Sequence, residues 1–130
     1  MVYLDSCAIV KLVVPELESQ ALRRYLAVRY DRVASGLVRV EVFRALRRAH
    51  ASEPATWHRA EQVLEGIALL AIDEPVLRAA AHLQPERLRS LDAVHLATAL
   101  SLEGLEAVVT YDQRLLDAAA GAGLAVAAPQ

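Results

Sequence analysis

Four acids stand where chemistry could be done. Asp5 follows the apolar run VYL, at the point where a strand would end. Asp112 stands two residues past another apolar run, in VVTYDQ. Asp92 falls in the first turn of the helix expected after Ser90, and Glu41 about one turn into the helix expected after the second strand. In a sheet whose strands are joined by helices, strand ends and helix starts share one edge, so all four acids can gather there. Carboxylates packed together repel, and each raises the others' affinity for a proton. A hard divalent cation resolves this with oxygen ligands, and with no His/Cys cluster the expected ion is Mg²⁺ or Mn²⁺.

Each acid also has a plainer reading. Asp5 and Asp92 suit helix starts, where a carboxylate caps amides or meets the positive end of the helix dipole. Glu41 has Arg44 and Arg48 further along its helix and could be one rung of a solvated ion-pair ladder. Asp112 could be a turn residue. The argument for a metal rests on the set.

Neighbouring residues divide in the same way. Ser6 and Thr110 adjoin two of the acids and could hydrogen-bond carboxylates or metal-bound water. Arg114 could hold a substrate phosphate or pair with an acid. His95 lies one turn from Asp92 in a very apolar helix and is expected as a satisfied core or outer-shell histidine rather than a ligand. Asp117 reads as a surface helix acid, and Cys7 as a small buried residue rather than a nucleophile.

The elements that must position these residues follow from pattern. Strands are expected at Val2–Leu4, Arg32–Ala34, Ile67–Ile72, Ala107–Thr110 and Leu124–Ala127. Helices are expected at Ser6–Val13, ended by Pro15, and at Glu16–Tyr30, where Leu17, Ala21, Leu22, Tyr25 and Leu26 recur at helical spacing. Further helices are expected at Leu37–Ala51 with Ser35 as cap, from Pro54 or Thr56 to Glu65, at Glu74–His82, at Leu91–Leu102 with Ser90 as cap, and at Gln113–Ala120. Short apolar strands alternating with helices predict an α/β fold: a mainly parallel sheet of about four to five strands between helical layers, in a single domain over residues 1–130. Ligands of such sheets bind beyond the C-terminal strand ends.

The totals exclude some classes. The 130 residues are 55% hydrophobic, which is incompatible with a disordered chain. Formal net charge is −2, so bulk positive charge cannot coat nucleic acid. No run suits a bilayer span or a leader segment, and the one cysteine, Cys7, precludes an internal disulfide. A cytosolic protein is expected.

Four segments carry a family resemblance: LDSCAIVKLVVPE, ASGLVRVEVFRAL, LDAVHLATAL and VVTYDQRLLDAA. In order and spacing the chain resembles PIN-domain proteins, and more closely the VapC-type toxins of VapBC toxin–antitoxin systems. The resemblance implies a PIN-like fold and a metal site of Asp5, Glu41, Asp92 and Asp112. It also implies RNA hydrolysis leaving a 5′ phosphate and a 3′ hydroxyl, a homodimer, and a VapB-like antitoxin that blocks the acidic cleft. On this reading Arg44, Arg47, Arg48 and Arg114 are candidate contacts to the RNA backbone. A PIN fold used only for binding is the alternative, against which four intact acids argue. A phosphoacceptor receiver domain needs a lysine at a late strand end, but the only lysine is Lys11.

Overall fold

The computed structural model describes residues Met1–Gln130. It alternates strands and helices in the order β1 (Val2–Leu4), α1 (Ser6–Val13), α2 (Ser19–Leu26), β2 (Arg32–Ser35), α3 (Val38–Arg48), α4 (Pro54–Glu65), β3 (Ala68–Leu70), α5 (Glu74–Ala81), α6 (Ser90–Leu100), β4 (Ala107–Val109), α7 (Gln113–Gly121) and β5 (Val126–Ala127). The five strands form one sheet in the order β3-β2-β1-β4-β5, and every pairing is parallel. This is the α/β architecture expected from the apolar strands.

Strand β1 is central and fully buried, and its alternation feeds two cores. Val2 and Leu4 join Ile9, Leu22, Val42, Leu46 and Leu64 on one face. Tyr3 points the other way, joining Val33, Leu96, Val108 and Leu115. Successive side chains of a strand point to opposite faces, so a strand buried on both sides reads as an unbroken apolar run.

The chain builds β1, β2 and β3 outward on one side, then crosses to lay β4 on β1's other side. The sheet order therefore reverses beside β1, the position at which open α/β sheets form a crevice. Register sets Leu4 against Val109, so Asp5 emerges beside Thr110.

Several expected boundaries move. The helix expected over Glu16–Tyr30 contracts to Ser19–Leu26 because side chains bind the backbone at both ends. Lys11 grips Glu16 and Glu18, and Ser19 Oγ accepts the Glu16 N–H. At the other end the Arg32 guanidinium donates to the carbonyls of Leu26 and Arg29. The strand expected over Ile67–Ile72 shortens to Ala68–Leu70. Ser35 ends β2 rather than capping α3, although its hydroxyl accepts the Leu37 N–H. Ser90 is the first residue of α6, and Arg89 holds the cap position without a side-chain bond. Gly36 passes tightly under β3: its N–H donates to Leu70 O at 2.7 Å, and a Cβ there would stand 3.2 Å from that oxygen.

Candidate metal centre

Asp5 is 4% exposed and is both cap and candidate ligand. Its Oδ1 accepts the Ala8 N–H at 2.9 Å, capping α1. Thr110 Oγ1 donates to Oδ2, and the Cys7 thiol lies 3.0 Å from both oxygens. Of the two hydroxyls expected to support the acids, Thr110 makes this bond and Ser6 does not; the Cys7 thiol joins Thr110 on Asp5. Burial pushes the Asp5 carboxyl above the ordinary carboxylate range, and the bonds from Thr110, Cys7 and Ala8 oppose the shift.

Thr110 ties two acids together. While donating to Asp5, its Oγ1 accepts the Asp112 N–H at 3.0 Å. Asp112 then caps α7, its Oδ1 accepting from the amides of Arg114 at 2.8 Å and Leu115 at 3.3 Å.

Glu41 reaches the same edge from α3 and is held from behind. The Tyr3 oxygen accepts the Ser35 N–H at 3.2 Å and lies 2.6 Å from His95 Nδ1, the one acceptor placed to take the phenol proton. His95 Nε2 lies 2.6 Å from Glu41 Oε1, and because a carboxylate only accepts, the ring nitrogen is assigned as the donor. Tyr3 and His95 are 0% and 2% exposed, so this relay lies in the core. Glu41 pairs with His95, not with Arg44 or Arg48.

Asp92, in the first turn of α6, is half-buried and accepts no hydrogen bond from the protein. Desolvation raises its pKa above the ordinary range, followed by the charge of Asp112; Glu41 and Asp5 add to the rise and His95 opposes it. The four acids thus lie within electrostatic reach of one another at the sheet's C-terminal edge.

The remaining residues separate clearly. The Cys7 thiol, pushed up to about 12 by burial and by Asp5, is no nucleophile at neutral pH. Asp117 takes the Gln113 side-chain amide at 2.7 Å on the exposed face of α7. Arg44 and Arg48 line a groove of about 700 Å³ with Ser6, Val10, Glu41 and Tyr111; Arg47 does not line it. The pattern of residues did not single out Tyr3 or assign Cys7 a bond. A tyrosine in an otherwise aliphatic three-residue strand was the only signal available for the first, and its place two residues after Asp5 the only one for the second.

A model of the PIN domain matches residues 2–121. The chain belongs to the PIN-domain family. It is 51% identical over 129 residues to Ribonuclease VapC46 of Mycobacterium tuberculosis (strain ATCC 25618 / H37Rv), covering 98% of this chain and 97% of that relative. Among solved structures, Mycobacterium tuberculosis VapC20, a sarcin-ricin loop cleaving toxin, superposes with a TM-score of 0.77 at 15% identity, covering 99% of this chain and 100% of that one. A toxin–antitoxin complex from Klebsiella pneumoniae superposes with a TM-score of 0.73 at 21% identity, covering 100% and 98%. These two likenesses show a shared fold.

The donor set of this PIN domain suits a hard cation. Glu41 Oε2, Asp112 Oδ2 and both oxygens of Asp92 accept no protein hydrogen bond and stay available as ligands. No three Asp, Glu, His or Cys side chains close into a tight cage. An open carboxylate set matches Mg²⁺, which keeps several waters and takes few protein ligands beside substrate phosphates.

Proposed function

We propose that this PIN domain is a metal-dependent endoribonuclease, the toxin of a toxin–antitoxin pair, that hydrolyses RNA phosphodiester bonds. The observation that carries the reading is the gathering of Asp5, Glu41, Asp92 and Asp112 at one sheet edge in a chain 51% identical to a named ribonuclease. These four acids would hold Mg²⁺ or Mn²⁺. Such an ion would supply a water of lowered pKa and positive charge opposite the phosphate and the leaving 3′ oxygen.

The chain's own residues divide the remaining work. Asp5 and Glu41 are clamped by Thr110, Cys7 and His95, so their carboxylates would enter an ion's shell already oriented. Asp92 and Asp112 are more open and face solvent, where the substrate arrives. Thr110 keeps Asp5 and Asp112 in register through one hydroxyl. Single-stranded or looped RNA suits a small acidic cleft, because only an exposed strand bends into it.

A homodimer and a VapB-like antitoxin belong to the same reading. The groove beside Glu41 supports a peptide partner there, since it is flanked by the exposed apolar residues Val40 and Leu91, 57% and 52% accessible. No helix is long and apolar enough to cross a membrane.

The test is cleavage of total cellular RNA by purified, antitoxin-free protein with Mg²⁺, with Mn²⁺ and with EDTA, beside Asp92→Ala. Discrete metal-dependent fragments absent from the variant are expected. A folded protein that cuts nothing under any metal would favour a PIN fold used only for binding.

A further inference from the structure

A second cavity, of about 980 Å³, opens between the Leu83–Arg89 loop and α7. Three arginines line it: Arg87, Arg89 and Arg114. All three are exposed, and none of their guanidinium groups takes part in a hydrogen bond or salt bridge within the protein. The one acid among the lining residues, Asp117, is engaged by Gln113. In a chain of net charge −2, this sets three guanidinium groups against a single carboxylate at one place. Leu83, Leu88 and Ala118 give the cavity an apolar wall.

Position links the cavity to the acids. Arg114 is two residues from Asp112 in the first turn of α7, and Arg89 is three residues before Asp92. Arg89 holds the N-cap position of α6 without a side-chain cap, so the first amides of that helix gain no acceptor from it. The cavity therefore begins where the acidic edge ends. An occupant must offer negative charge that a planar fork can grip and an apolar face beside it. A nucleotide does both: guanidinium groups bind phosphate oxygens bidentately, and the base face packs on aliphatic carbon.

We infer that this cavity is a nucleotide subsite, holding one nucleotide of the RNA strand next to the scissile bond, with its phosphate on Arg87, Arg89 and Arg114 and its base against the Leu83–Leu88–Ala118 wall. The inference rests on the ribonuclease reading for its substrate class. The subsite itself contributes phosphate contacts, which position a strand without reading its sequence.

The test uses the full chain in EDTA, where RNA stays uncut, titrated with a uridine hexanucleotide and followed by ¹H–¹⁵N spectra. Saturable shifts are expected at the amides of residues 83–89 and 118–122. Arg87→Ala/Arg89→Ala should weaken binding roughly tenfold or more. These side chains make no protein hydrogen bond, so the variant's other resonances should stay in place, which verifies its fold. Arg87→Lys/Arg89→Lys should recover part of the affinity, because charge returns without the fork. Shifts confined to the acidic edge would overturn the inference. So would equal shifts from inorganic phosphate or hexaglutamate, which would assign the cavity to any anion or to an acidic peptide. The two readings fail separately. A chain that cuts RNA without shifts in this cavity loses the subsite alone, and one that binds the hexanucleotide here but never cuts RNA loses the nuclease alone.

Discussion

His95 Nε2 lies 2.6 Å from Glu41 Oε1, on a ring whose other nitrogen is held by Tyr3. A candidate ligand on α3 is thereby anchored through α6 to the central strand. Tyr3→Phe keeps the shape of the core but leaves His95 Nδ1 and the Ser35 N–H unpaired, which should cost about 1–3 kcal/mol. His95→Ala adds a cavity and should cost about 2–4 kcal/mol. If the relay aims Glu41, His95→Ala should also lower RNA cleavage about 10–100-fold, the usual effect of losing an outer-shell partner. Thermal denaturation and cleavage rates read the two effects, and unchanged melting of Tyr3→Phe would show that the relay stabilises nothing.

Asp5 and Asp92 both have carboxyl pKa values raised in the folded protein, chiefly by desolvation. A raised folded-state pKa means that the folded chain binds the proton more tightly than the unfolded chain. The stability from these groups is complete below the unfolded value of about 3.9 and is lost as pH rises through the folded one. In EDTA, Asp92→Asn should therefore melt higher than the natural chain at neutral pH, and the difference should shrink toward acid. A melting difference that grew toward acid would contradict the assigned cause.

Asp112 caps α7 as well as facing the site, and two substitutions separate these roles. Asp112→Ala should lose the cap and about 1 kcal/mol of stability. Asp112→Asn keeps an acceptor for the amides of Arg114 and Leu115 but gives up the charge. Calorimetric titration should find Mn²⁺ binding weakened in both variants, with Asp112→Asn melting close to the natural chain. Undiminished Mn²⁺ affinity in the Asn variant would remove Asp112 from the ligand set.

With its thiol pKa pushed up to about 12, Cys7 should react slowly with a disulfide reagent such as Ellman's at mildly alkaline pH and fully once the chain is denatured. Rapid reaction of the folded protein would mean that the thiol is not donating to Asp5.

Much of the architecture was legible because local rules write it into the chain. VYL and VVT are runs buried on both faces, and Pro75 marks a helix start by its fixed backbone angle. The Glu16–Tyr30 pattern misled because its ends are decided by Lys11 and Arg32, long side chains that reach from other elements to take its flanking groups. Of the two hydroxyls expected beside the acids, Thr110 rather than Ser6 bonds Asp5, because β4 lies alongside β1 and adjacency in sequence says nothing about which strand end does so.

By itself the sequence determined the order of strands and helices, the capping of a helix by Asp5, and the placement of acids at strand ends and first turns. All of these are interactions between residues a few positions apart. The tertiary structure decided which partners those acids keep: Thr110 for Asp5 across 105 residues, His95 for Glu41 across 54, and Tyr3 for His95 across 92. Such contacts exist only once β4 has been laid against β1 and α6 packed beneath them, because strand pairing across a parallel crossover, not local spacing, sets which ends meet.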